Sequence, residues 1–316
     1  MQEKEQTSIT PGVLHAIIAG FDLTAKHLWL LLIPVALDLF FWLGPRLTFQ
    51  TLIERLVASL PQEADLLELA GPLLEAAPLT NLFTVLSVPF VGIPTLMAGL
   101  TPETLPIEPL VVADIDNWGL WLLLLLVFGV VGLLITAVFY LMIATVVSPP
   151  GTNPGWRIWF SHVLQTWWRL LVLALLFIAI AMTVYLPISL VGGIAFMFSP
   201  AVGTLILLAA PFIIIWIVIY FSMTPQIILL DSVPALRAVR ESARFVQRNM
   251  LTVLLLLLII LLVNTIVDWL LVMAENGTWL TVINLLGHAF ISTALTTAVF
   301  VFYRDRAVAN NAANLT

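Results

Sequence analysis

Five long apolar runs constrain what this chain can become more than any other feature. Residues 118–147, 170–198, 202–223, 251–273 and 281–303 each reach or exceed the roughly 20 residues a helix needs to cross a bilayer core. In several of them apolar side chains cover every side rather than one stripe, so water suits none of their faces. The run 251–273 sets the scale with 17 Leu, Ile or Val residues. Each favours insertion by about 0.3–0.6 kcal/mol, against about 3 kcal/mol lost at Asp268. Insertion wins with the acid in place. A sixth stretch, 28–44, is shorter and contains Asp38, but Leu, Ile, Val, Phe and Trp supply most of the rest.

The expected class is therefore an all-α integral membrane protein with about six transmembrane helices, forming one polytopic domain over residues 1–316. Only 9% of residues are charged, against about 25% in soluble domains. Absence of cysteine removes disulfides, thiolate chemistry and Cys-ligated metals. The start, Met1 to Gly12, lacks a basic region followed by a short apolar core, so the first helix is expected to insert as its own anchor.

Basic residues orient the spans. Lys4 and Lys26 precede the first span, Arg157 and Arg169 lie between the second and third, and Arg237, Arg240, Arg244 and Arg248 between the fourth and fifth. With Arg304 and Arg306 after the last, 10 of 12 bases share one side. Both termini are then expected in the cytoplasm of a bacterial-type cell membrane. The other side receives segment 45–117, with nine acids and only Arg46 and Arg55. Within it, 83–100 is fairly apolar but is cut by Pro89, Gly92, Pro94 and Gly99. Were it a full span, every later loop would flip against the charge rule, so an interfacial or re-entrant piece is expected. Leu47, Leu52, Leu56 and Leu60 suggest one amphipathic helix on this side. Leu66, Leu67, Leu69, Leu73 and Leu74 suggest another, ended near Gly71-Pro72. Such helices read as a lid over the bundle or as a partner-docking surface.

Prolines and glycines within the spans punctuate them further. Pro187, Gly192 and Gly193 are expected to end or bend the long run 170–198, and Pro211 to kink its successor. Three short amphipathic segments, 13–26, 156–169 and 235–248, each close with a base just before a span, at Lys26, Arg169 and Arg248. Three helix-plus-hairpin repeats would give this pattern; so would any bundle of hairpins with bases at its cytoplasmic ends.

The third of these segments is the most basic. Asp231-Ser232-Val233-Pro234 has the form of a helix start, a capping side chain followed by an early proline. Arg237, Arg240, Arg244 and Arg248 then share one stripe, with Leu236, Val239, Ala243, Val246 and Met250 on the opposite side. That is the form of a helix lying in the membrane interface with arginines toward anionic lipid phosphates. A simple positive-inside anchor would look the same. The run Thr224-Pro225-Gln226 to Asp231, then Ala235-Leu236-Arg237-Ala238-Val239-Arg240-Glu241-Ser242 and on to Asn249, resembles the membrane domain fused to some glycerophosphodiester phosphodiesterases and its stand-alone six-span bacterial relatives. The resemblance implies six spans and an envelope or lipid-related role. The soluble catalytic domain has no counterpart here, so it does not imply phosphodiesterase activity.

Ionisable groups at membrane depth are functional candidates by default. Asp38, Asp268 and His288 each lie roughly 10 Å from an outer helix end at about 1.5 Å per residue. Counting outward from a turn at Asn276-Gly277 brings Asp268 level with His288 and Asn264 level with Ser292. Asn284, His288, Ser292 and Thr296 continue at four-residue steps as one polar stripe. A carboxylate beside an imidazole can hold a proton, a cation or a polar headgroup. Interhelical hydrogen bonding is the competing explanation, at about 0.6 kcal/mol per contact, and hydration near the surface is another for Asp38.

No zinc-binding His-Glu-x-x-His helix, Gly-x-Ser-x-Gly elbow or phosphate loop is present. No catalytic residue, metal or cofactor is implied, and the basic content is too small for a nucleic-acid partner. The expected function is a non-enzymatic accessory or assembly subunit of the cell envelope, contacting the bilayer and a membrane-protein partner. The alternative is a transporter or lipid-handling protein using the seam between the last two helices. Because the chain has no native cysteine, orientation is directly testable. Single cysteines placed by Glu68→Cys and Arg244→Cys should react with an impermeant maleimide from opposite sides of the membrane. Labelling from one side would overturn the orientation.

Overall fold

The computed structural model describes residues 12–59, 64–88, 92–99, 111–148, 156–273 and 278–313. It is almost entirely helical. In chain order, α1 (Val13–Lys26) leads through a 3-10 turn (Leu28–Leu31) into α2 (Leu32–Leu43), then come α3 (Gln50–Ala58) and α4 (Ala64–Ala76). The long helices α5 (Trp118–Val147), α6 (Trp156–Phe198) and α7 (Pro200–Phe221) follow, with the short α8 (Thr224–Leu230) and the basic α9 (Ala235–Arg248). The last two are α10 (Met250–Met273) and α11 (Thr281–Ala313). Among the described residues, five helices are long and apolar enough to cross a membrane, and a sixth span results if α1 and the 28–43 helix, bent by 92°, count as one. The architecture is that of a multi-pass helical membrane protein.

Several local expectations change. The 170–198 run does not break at Pro187; α6 continues for 43 residues to Phe198. Pro187 leaves the Thr183 carbonyl without its helical donor, a loss membrane helices tolerate when the surrounding sequence favours helix. The same continuity joins segment 156–169 to its span, whereas α1 and α9 stay separate from the helices after them. The three proposed repeat units thus differ in form. Pro211 lies inside α7, and Pro72 lies inside α4, which runs on to Ala76 rather than ending at Gly71. Leu47 is in a strand, not a helix: β1 (Arg46–Thr48) pairs in parallel with β2 (Val112–Asp114), Arg46 opposite Val112. Asp114 joins this pairing by accepting from the Thr48 hydroxyl at 2.8 Å. Burial works against its charge, but donors from Thr51, Thr48 and Gln50 outweigh that and hold the carboxyl below its ordinary range. The Asn276-Gly277 turn lies outside the described residues.

Packing divides the chain into two compact units, neither contiguous in sequence. The first comprises Met1–Ala19, Val147–Ile259 and Ala298–Thr316, the second Gly20–Val146 and Ile260–Thr297. In the first, α6 and α7 form a close hairpin. A Cβ on Gly203 would lie 2.5 Å from the Phe196 Cα, so only glycine permits that approach. In the second, Leu52, Leu82 and Ile115 form a small core against Trp121, Leu124, Leu125 and Phe128 of α5, which seats these described parts of the outer segment on that helix.

The described part of 83–100 contributes no long helix. It has a 3-10 turn (Leu82–Ser87) followed by irregular backbone. Phe83 stacks on Phe128 at 4.9 Å, the Leu86 carbonyl abuts Gly132, and the Tyr140 hydroxyl donates to the Gly92 carbonyl at 3.3 Å. From Phe128 to Tyr140 is about 18 Å along a helix, so this backbone runs down the flank of α5 within its apolar length. Irregular backbone is tolerated there only when protein satisfies and covers it. Ile93, Leu96 and Met97 are accordingly buried, and Ile93 N–H donates to the Ser87 carbonyl at 2.9 Å. Val88 has φ 50°, a strained setting for a β-branched residue.

Two glycines of α5 give an internal comparison. A Cβ on Gly132 would come 2.5 Å from the Leu86 carbonyl oxygen, whereas one on Gly129 meets nothing within 4 Å. Gly129→Ala should therefore stabilise the protein by about 0.5–1 kcal/mol through helix propensity. Gly132→Ala should instead destabilise it by about 1–3 kcal/mol through overpacking. Opposite shifts of the melting temperature in detergent are expected, and shifts of the same sign would contradict the close approach.

Candidate functional site

The second unit brings the intramembrane ionisable residues together. Asp38, on α2, is fully buried rather than hydrated. Its Oδ1 accepts the Met97 backbone N–H at 2.8 Å, so the irregular segment is anchored on it. Its Oδ2 makes no hydrogen bond of good geometry, although the Leu96 backbone N–H also faces the carboxylate. Asp38 also lies within electrostatic reach of His288 on α11. His288 is 5% exposed. Its Nε2 stands 3.2 Å from the Ser292 hydroxyl and 3.4 Å from Asp268 Oδ1 on α10, while its Nδ1 is buried without a partner. The Asp268 approach suits an ion pair if the ring is protonated, but it is too poorly aligned for a hydrogen bond. Asp268 remains half exposed along the side chain.

Helical spacing explains most of this placement. His288 and Ser292 are four apart on α11, and Thr296 donates to the Ser292 carbonyl at 2.8 Å. One turn before His288, Asn284 donates to the Leu271 carbonyl of α10 at 3.3 Å, which draws the two helices together beside Asp268. Asn264 and Ser292, expected at one level, make no hydrogen bond to each other. Ser292 turns to His288 instead, and Asn264 Oδ1 stays buried and unpartnered. Sequence reasoning did not find Met97, because a backbone amide carries no residue signature; Pro89, Gly92, Pro94 and Gly99 were its indirect signal. It also missed the enclosed, unpartnered hydroxyls of Thr136 and Thr293 and the Trp42 indole N–H. Most native buried polar atoms are satisfied, so each of these needs a physical reason. Among the described residues, no three His, Asp or Glu side chains converge closely enough to hold a metal ion.

In the first unit, the basic stripe is present but is oriented differently from expectation. The face of α9 turned to protein comprises Ala235, Ala238, Ser242, Phe245, Val246 and Asn249, about a quarter turn from the apolar arc read as lipid-facing. Ser242 is small enough to approach α7 closely and donates to the Tyr220 carbonyl at 2.7 Å. The arc of Leu236, Val239 and Ala243 is left partly or fully exposed beside it. Arg237, Arg240, Arg244 and Arg248 are all exposed. Asp231 does not cap α9. A left-handed turn at Ser232 (φ 53°) and the extended Pro234 delay the helix start to Ala235, and the Asp231 carboxylate accepts from the Tyr303 hydroxyl.

The residues quoted for the family resemblance are therefore largely structural. Thr224, Pro225, Gln226, Ile227 and Ile228 are buried, and Asn249 Oδ1 accepts from Arg306 at 3.1 Å. Arg304 reaches the Val147 carbonyl and pairs with Asp305 at 2.8 Å. No family model, curated protein or solved structure matches this chain.

The Asp38–Met97 bond is testable alone. Asp38→Asn keeps an acceptor for Met97 and should remain close to wild type in stability. Asp38→Leu orphans the amide and should lose about 1–3 kcal/mol, with faster proteolysis within 92–99. Equal stability of the two variants would show that the bond does not anchor the segment.

Proposed function

We propose that this chain is a non-enzymatic multi-pass membrane protein of the transport or lipid-handling class, with Asp38, His288 and Asp268 as its working centre. The observation that carries this reading is the enclosure of Asp38 and His288, each with one polar atom, Oδ2 and Nδ1, left without a hydrogen bond of good geometry. Most buried groups that only hold helices together pair their polar atoms. A site that takes up and releases a proton, a cation or a polar headgroup keeps one open. An imidazole with one carboxylate 3.4 Å away and a second within electrostatic reach suits proton exchange. The bond from Asp38 to Met97 couples that exchange to the irregular segment beside α5.

We place the protein in a bacterial-type cytoplasmic membrane with both termini inside, on the strength of its basic-residue distribution. The resemblance of 224–249 to phosphodiesterase membrane domains favours an envelope or lipid-related setting. An accessory or assembly subunit is the second reading, and a different observation supports it. Only 6% of the apolar stretch of α6 and 11% of that of α7 is buried, leaving a broad surface for lipid or a membrane-protein partner.

The test is proton flux into proteoliposomes holding a pH-sensitive dye, driven by a potassium diffusion potential. Wild type should exceed empty vesicles, and Asp38→Asn and His288→Ala should each lower the rate about tenfold or more, equivalent to about 1.4 kcal/mol of barrier. A parallel assay of fluorescent-lipid redistribution covers the lipid-handling branch. Variants that melt like wild type and retain both activities would end the proposal. Stoichiometric co-purification of one membrane protein, with neither activity in wild type, would establish the accessory reading.

A further inference from the structure

The outward face of α9 carries an uncompensated pair of charges. Arg237 is already neutralised by Glu241, with Nε 2.7 Å from the carboxylate. Arg240 and Arg244 are exposed and form no ion pair among the described residues. Four residues apart, they lie one above the other on the helix, a like-charge arrangement that is unfavourable by itself. They line a surface hollow of about 520 Å³ together with Pro234, Leu236, Arg237 and Glu241. Leu236, one turn before Arg240, is 62% exposed. The other side of the helix is committed to α7 and α8, and the Ser242 bond to Tyr220 fixes its rotation. The hollow is therefore held in place rather than formed by a freely rolling helix.

We propose that Arg240 and Arg244 clamp the phosphate of an anionic membrane lipid, with Leu236 and Pro234 covering the first part of its apolar tail. Two guanidinium forks on successive turns match the oxygens of one phosphate better than point charges would. The exposed apolar arc continuous with them separates a lipid from a free anion, which has nothing to place there. The proposal rests on the membrane setting of α9 and not on the Asp38 centre.

Native mass spectrometry of protein extracted from vesicles of phosphatidylcholine and phosphatidylglycerol tests the site. Wild type should retain phosphatidylglycerol, and the double variant Arg240→Gln/Arg244→Gln should retain about tenfold less. Arg169→Gln/Arg248→Gln removes the same charge from outside the hollow and should retain it as wild type does; equal loss in both pairs would reduce the stripe to a charge anchor and overturn the proposal. Arg240→Lys/Arg244→Lys keeps the charge without the forks and should still lose most retention. Displacement of the lipid by inorganic phosphate at low concentration would assign the site to a free anion and overturn the lipid source. Asp38→Asn and His288→Ala should leave retention unchanged, so failure of the transport reading and failure of this one are separable.

Discussion

Within the second unit, much depends on one exchange between a carboxylate and a backbone amide. Neither group can turn to water along an apolar helix, so each needs the other. Asp38 supplies an acceptor where the irregular segment supplies the Met97 N–H, and Tyr140 supplies a donor where Gly92 presents its carbonyl. Gly132 then sets how closely that backbone approaches α5. Remove the carboxylate and an amide is orphaned; remove the segment and a buried acid is orphaned. That reciprocity explains how an acid, a positive φ at Val88 and irregular backbone persist together among apolar side chains.

The first unit applies the same physics at the arginine-rich helix ends. Asp231 meets Tyr303, Ser242 meets the Tyr220 carbonyl, and Arg306 meets Asn249 while its guanidinium lies 5.6 Å from the Phe302 ring. These contacts bind the end of α11 and the start of α10 to α8 and α9. A sequence pattern that resembled a family signature thus divides by direction. Its inward members build the fold, and only its outward arginines remain available to a ligand.

Both units leave buried polar atoms unsatisfied, Thr224 Oγ1 and Arg306 Nε among those of the first, but α9 adds a deficit of another kind. In the second, the open atoms belong to buried groups such as Asp38, His288 and Thr293, where an unmet hydrogen bond costs about 1–3 kcal/mol. In the first, the unmatched groups of α9 are exposed cations, for which solvent makes the cost small. Buried deficits favour a site that exchanges something small. Exposed cations beside an apolar arc favour an amphiphile at a surface.

Sequence alone determined the helical membrane class, because runs such as 251–273 have no stable alternative to lipid. It also anticipated that Asp268 comes level with His288, and the two side chains approach to 3.4 Å. It could not find the partner of Asp38, because the donor is a main-chain amide 59 residues away that any residue type could supply. Nor could it set the rotation of α9, where small residues at Ala238 and Ser242 decided which face met protein. Proline ended neither α4 nor α6, because helix continuity depends on what surrounds the missing hydrogen bond. Burial of apolar length is a property of composition and can be read along the chain. Satisfaction of individual polar atoms depends on distances of about 3 Å between remote residues, and only the tertiary structure decides it.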